Sequence, residues 1–237
     1  MTIDPITYEV KGTSPLEPLY VWETPVRIWH WATVLCMLAL IPTGWLIGEP
    51  PPANFADTTV THVFSHFRGI HFVAGMLFAV LFVARLGWCF VGNRYSCMIF
   101  APPVWNARWW RGVWEQIRHY LFLRPHAPEY AGHNPLAQLA MFLMFTLAGF
   151  GLIVTGFALY AQAWGWNTGL MSVFEWVFAL TGNAQTVRTA HHVFMYILIA
   201  FTIFHVYMSF REDIMGGATT VSSMTTGLRM FKEISHD

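Results

Sequence analysis

The 237-residue chain is poor in charge and in cysteine, and each shortage excludes something. Charged residues make up 11% of it, with Lys+Arg and Asp+Glu balanced at 13 each. A neutral chain offers a polyanion no electrostatic footing, which excludes a nucleic-acid partner. The three cysteines, Cys36, Cys89 and Cys97, contain no C-x-x-C pair. Neither a disulfide framework nor a thiolate metal site follows from them, and small apolar filler is their expected role. Met1–Leu19 holds Asp4, Glu9, Lys11 and Glu17 and lacks the apolar core of a secretory signal. It reads as a polar tail ahead of a first span that stays in the protein.

What is abundant is apolar: 55% of the residues are hydrophobic and the mean hydropathy is +0.45. Crossing ~30 Å of hydrocarbon takes roughly 20 helical residues. Four stretches reach that length, Val26–Gly48, Gly69–Gly92, Pro135–Ala161 and Thr189–Phe210. Continuous runs such as Met141–Phe150 exclude barrel strands, which alternate with a period of two. The expected fold is an all-α membrane protein, a four-transmembrane-helix bundle over residues 20–215 flanked by cytoplasmic tails at 1–19 and 216–237.

Orientation follows from the cations in the connections. Lys11 and Arg27 precede span one; Arg94, Arg108, Arg111, Arg118 and Arg124 separate spans two and three; Arg211, Arg229 and Lys232 follow span four. The opposite side has Arg68 and Arg188 alone, so the positive-inside rule places both termini in the cytoplasm. In Trp105–Leu123, tryptophans alternate with Arg108, Arg111 and Arg118, as in an amphipathic helix at the cytoplasmic interface. Met171–Leu180 is apolar but too short to span, and suits the outer membrane surface or a partner.

Histidine is disfavoured in lipid, and five occupy the spans. His30 opens span one at the inner level, His71 opens span two at the outer level, and span four carries His191 and His192 at the outer level and His205 at the inner. Fourteen residues at ~100° each leave His191 about 40° from His205 in azimuth and ~21 Å away along the axis, whereas His192 lies about 140° away. His191 is therefore the ligand candidate. The same interval links His30 to Gly44 and His71 to Arg85. His30 with His205, and His71 with His191, supply two imidazoles at each of two depths, the donor set of six-coordinate heme iron. With no C-x-x-C-H string for thioether attachment, the hemes are b-type. Gly44 and Gly156 stand in matching strings, Ile41-Pro42-Thr43-Gly44-Trp45 and Ile153-Val154-Thr155-Gly156-Phe157, where glycine lets a macrocycle or a neighbouring helix approach the backbone. Arg85, buried late in span two, suits a heme propionate or snorkels to the interface. His62, His66, His119, His126, His133 and His236 lie outside the spans and read as surface residues.

Over Tyr20 to Met230 the sequence resembles the b-type cytochrome subunit of membrane-bound uptake nickel–iron hydrogenases, within the wider group that includes formate dehydrogenase cytochrome b subunits. The resemblance rests on Pro25-Val26-Arg27-Ile28-Trp29-His30-Trp31, Phe90-Val91-Gly92-Asn93-Arg94-Tyr95-Ser96, Gly132-His133-Asn134-Pro135, Thr155-Gly156-Phe157-Ala158-Leu159-Tyr160, and His205-Val206-Tyr207-Met208 with Arg211-Glu212-Asp213-Ile214-Met215. It implies two b hemes held by His30, His71, His191 and His205, while His192 falls where the family does not require histidine. It implies a place in the bacterial inner membrane beside a periplasmic hydrogenase, whose small subunit, anchored by a C-terminal helix, passes electrons inward while the large subunit is reached through it. Ubiquinone or menaquinone is the implied acceptor, with His133 and Asn134 as candidate quinone contacts by similarity to the formate dehydrogenase relatives. Asn134 ahead of Pro135 equally suits a helix cap. The chain is then an electron-transfer subunit, and H2 chemistry belongs to its partners. The alternatives are a cytochrome b subunit of another quinone-linked enzyme such as formate dehydrogenase, and a heme-free anchor or transporter.

Overall fold

The computed structural model describes residues 2–11, 18–50, 58–124, 128–216 and 219–231; His126, Lys232 and His236, with parts of both tails, lie outside the described residues. The described chain is mostly helical. Four helices are long and apolar enough to cross a membrane: Thr24–Gly48, His62–Val91, Pro135–Trp164 and Ala184–Met215, with mean hydropathies of 1.7, 2.0, 2.1 and 2.0. Three of them are single α-helices, α1 (Thr24–Gly48), α2 (Thr58–Val91) and α7 (Ala184–Gly216). The 33 residues of α7 rise ~50 Å, well beyond the ~30 Å hydrocarbon layer, so its ends reach into the headgroup region.

The third span is composite. Asn134 caps α4 (Pro135–Ala140), its Oδ1 accepting from the Ala137 amide at 2.7 Å, with Pro135 in the first turn where its missing N–H costs nothing. Met141–Leu147 then widens to a π-helical segment before α5 (Ala148–Trp164). No hydropathy pattern announces that widening. Thr146 in it donates to the Ile99 carbonyl at 2.7 Å.

The chain divides into two compact units, one drawn from Met1–Ile28, Leu86–Leu147 and Ala200–Asp237, the other from Trp29–Arg85 and Ala148–Ile199. The first has two short antiparallel pairs, β1 (Thr2–Ile3) with β2 (Val10–Lys11) and β3 (Leu19–Tyr20) with β4 (Leu228–Arg229). Its core gathers Val10, Val21, Trp22, Val26, Tyr95, Met98, Ala131 and Phe231. Cys89 and Cys97 form a disulfide there, with Cα atoms 4.6 Å apart. A spacing of eight residues gave no sign of this pairing, because the turn after Val91 folds the chain back. Cys36, by contrast, is buried and free.

Within the same unit α3 (Ala107–Tyr120) forms where the interleaved tryptophans and arginines predict an amphipathic helix. Its buried residues, Trp109, Gly112, Val113 and Gln116, are spaced i, i+3, i+4 and i+7, one helical face. That face meets protein: Trp109 Nε1 donates to Gln138 Oε1 at 3.1 Å, and a Cβ on Gly112 would lie 2.9 Å from Pro135 Cγ. Trp109 is 0% exposed, against 79% for Trp105, 46% for Trp110 and 61% for Trp114, so the latter three, and not Trp109, can serve as interfacial anchors. Trp109→Ala should cost about 3–5 kcal/mol and lower the thermal midpoint in detergent, with Trp105→Ala close to wild type.

The second unit adds α6 (Gly169–Thr181), capped by Thr168, whose Oγ1 accepts from the Met171 amide, and ended by Gly182 at φ +85°. It packs on α5 through Met171, Val177 and Phe178 against Ala158 and Ala161. The apolar segment expected at the surface thus covers a helix with one face and leaves Val173, Trp176 and Leu180 exposed on the other.

Candidate heme site

Inside the second unit the helices surround a cavity of about 1670 Å³, larger than the ~300–1,000 Å³ of ordinary small-ligand pockets. His71 from α2 and His191 from α7 project into it, with ring centroids 6.4 Å apart. Two imidazoles bound to opposite faces of one metal ion, each nitrogen at ~2 Å, have centroids about 6 Å apart.

The rings are aimed by two threonines that the sequence reading passed over. Thr43 Oγ1 donates to the Ala39 carbonyl at 2.6 Å and lies 3.0 Å from His71 Nδ1. Thr155 Oγ1 donates to the Gly151 carbonyl at 2.6 Å and lies 2.8 Å from His191 Nδ1. A hydroxyl whose proton is engaged by a carbonyl can only accept, so each Nδ1–H donates to threonine and each Nε2 keeps its lone pair. Hydrogen bonding of the second ring nitrogen is the usual way a metal-binding histidine is oriented and made more basic. The signal was present in the sequence, since Thr precedes Gly in both matching strings.

Gly44 and Gly156 take up the space question. A Cβ at Gly44 would stand 3.1 Å from His71 Cε1, and one at Gly156 3.2 Å from His191 Cε1. Both glycines line the cavity, and what their missing side chains admit is the imidazole itself. Gly156→Ala should displace the His191 ring by a few tenths of an ångström, a change checked by the low-spin signal in electron paramagnetic resonance; an unaltered g-tensor would show that the ring does not need the space.

The adjacent His192 also borders the cavity, but its Nδ1 is 2.7 Å from the Arg188 carbonyl of its own helix, and a Cβ on Gly48 would overlap its ring. Of the remaining expected residues, His30 is half-buried on α1 with its ring edge-on to Trp31 at 5.1 Å, and Arg85 is 3% exposed on α2 with its guanidinium 5.3 Å from the Trp29 ring. In the first unit, His205 on α7 stacks on Phe201 at 5.4 Å. His133 lies 4.7 Å from Trp22 there. Asn134 is committed at both ends of its carboxamide: Oδ1 caps α4, and Nδ2 donates to the Tyr120 hydroxyl at 3.2 Å. Tyr120 in turn donates to Glu212 at 2.9 Å, and burial together with that carboxylate raises its pKa.

Among the described residues no group of three or more His, Cys, Asp or Glu side chains is arranged to hold a bare metal ion. Two opposed, pre-oriented imidazoles at the wall of a large apolar cavity fit iron whose other four ligands come from a macrocycle. The residues present therefore suit a b-type heme, which His71 and His191 would hold.

Residues 21–227 match the family described as prokaryotic cytochrome b561. The chain is 46% identical over 215 residues to the probable Ni/Fe-hydrogenase 1 B-type cytochrome subunit of Escherichia coli K12, covering 90% of this chain and 91% of that one. It is 40% identical over 236 residues to the probable Ni/Fe-hydrogenase B-type cytochrome subunit of Rhizobium leguminosarum bv. viciae, covering 98% and 99%. With that of Azotobacter vinelandii it shares 41% over 215 residues, covering 91% and 90%. Four apolar spans, a heme-sized cavity with opposed imidazoles and a match over nearly the whole length place the chain in the prokaryotic cytochrome b561 family, as a membrane cytochrome b that carries heme b.

Proposed function

We propose that this cytochrome passes electrons from the iron–sulfur small subunit of a periplasmic nickel–iron hydrogenase across the inner membrane to the quinone pool, through two b hemes. The observation that carries the reading is the opposed pair His71 and His191, each fixed in one tautomer by a threonine. A second pair, His30 with His205, rests on the fourteen-residue spacing on span four and on family resemblance. The positive-inside rule puts the His71/His191 centre on the outer side, next to the electron donor, and the His30/His205 centre on the cytoplasmic side. Arg85, buried late in span two, has the charge and position for a propionate of the inner heme. The names of the relatives support the hydrogenase partner over formate dehydrogenase.

Pyridine hemochrome analysis of the purified complex should return two protohemes per chain, both reducible by H2. One heme per chain, or a formate dehydrogenase co-purifying in place of hydrogenase, would overturn this reading.

For the quinone we assign His133 and Asn134. Asn134→Leu removes both the cap and the amide donor and costs about 1 kcal/mol in helix stability, whereas Asn134→Ser keeps a cap and removes only the donor to Tyr120. Slow quinone reduction in both variants, with both hemes still reduced by H2, is the expected result. Full quinone turnover in Asn134→Ser would reduce Asn134 to a cap.

A further inference from the structure

The cavity around His71 and His191 is polarised along its length. Toward one end it is walled by Met37, Leu40, Phe78, Leu152 and Leu198; at the other, where α2 and α7 enter, stand Arg68 and Arg188. Among the described residues these are the only Lys or Arg that line the cavity, and no Asp or Glu lines it. Neither guanidinium has a carboxylate partner among the described residues; Arg188 Nη2 reaches only the Gln162 Oε1, at 3.4 Å.

Their placement repeats. Arg68 is three residues before His71 on α2, and Arg188 three residues before His191 on α7. Residues three apart share a helix face, and three residues rise ~4.5 Å, so each arginine sits on the imidazole's side of its helix, about one turn nearer the same end of the cavity. Heme matches this asymmetry, with an apolar vinyl edge and two carboxylates projecting from the opposite edge. A buried carboxylate without a cation or donors is costly, and guanidinium is the side chain best shaped to accept one.

We propose that Arg68 and Arg188 form a propionate clamp, one guanidinium for each propionate of the heme between His71 and His191. The clamp fixes the ring's orientation: propionates toward the α6 end of the cavity, vinyl edge against Phe78 and Leu198. In the orientation given by the positive-inside rule, the charged edge is then the one presented to the electron donor. This inference rests on the assignment of His71 and His191 as ligands.

Redox titration of the purified complex, followed in the heme absorption bands, tests it without reference to turnover. A cation beside a heme stabilises the reduced form, so Arg68→Gln and Arg188→Gln should each lower the midpoint potential of the same single heme and leave the other unchanged. The double variant should lower it further or lose that heme during purification, while Arg68→Lys and Arg188→Lys should recover most of the shift. Unchanged potentials and heme content in both Gln variants would overturn the clamp. So would weakened hydrogenase binding with unchanged potentials, since that would assign the arginines to a partner's carboxylates. His191→Ala serves as the control: if it loses no heme, the ligand assignment has failed rather than the clamp.

Discussion

His191→Ala should purify with one heme per chain instead of two and lose H2-driven quinone reduction, whereas His192→Ala, one residue away, should keep both hemes. The contrast follows from what each ring touches. His191 faces His71 across the cavity with its Nε2 not engaged by Thr155, and alanine would remove one of the two imidazoles that would hold the heme on the proposed ligation. His192 has its Nδ1 engaged by the Arg188 carbonyl and its ring lodged against Gly48. Its loss costs packing and one hydrogen bond, roughly 1 kcal/mol. Imidazole present throughout expression and purification should let His191→Ala keep that heme, low-spin, since the space the side chain vacates admits the free base. Loss of heme from the His192 variant, with retention in the His191 variant, would reverse the assignment on span four.

Thr155→Val and Thr43→Val should each weaken retention of one and the same heme, by about 10–100-fold in affinity, the usual cost of removing an outer partner of a metal-binding histidine. Valine keeps the shape and removes the acceptor, leaving a buried Nδ1–H unsatisfied, a penalty of ~1–3 kcal/mol. A less electron-rich imidazole also stabilises ferric iron less, so the midpoint potential of that heme should rise. Serine at either position, which retains the hydroxyl, should return affinity and potential toward wild type. If the two valine variants moved different hemes, His71 and His191 would not share one iron.

Hydropathy made the four spans legible because lipid admits few solutions to backbone hydrogen bonding. The same signal located α3 and α6 to within a few residues. Histidine stood out for a related reason, since a polar ring in an apolar run has few roles. The threonines did not stand out. A membrane threonine ordinarily bonds its own helix at i−4, as Thr43 and Thr155 do, and only the second contact to a histidine separates them from the rest. Arg68 and Arg188 were legible as topology markers alone, because their nearness to the cavity depends on helix neighbours that spacing along one chain does not report. Trp109 failed in the opposite direction: a tryptophan among arginines reads as an interfacial anchor, and only the packing of α3 on α4 shows it to be core. The π-helical segment Met141–Leu147 was invisible because widening a turn changes no composition.

The two threonines have a consequence for speed. Each hydroxyl is pinned to the backbone of a transmembrane helix by a 2.6 Å bond, and each imidazole is pinned to the hydroxyl. Imidazoles held on both sides by helix backbone would have little freedom to shift when a heme iron between them changed charge, and the cavity wall toward Phe78 and Leu198 is apolar. Reorganisation energy at a heme held there would therefore be small, so that on the function proposed above electrons would cross it with only a slight driving force, leaving most of the free energy released by the donor for the steps beyond.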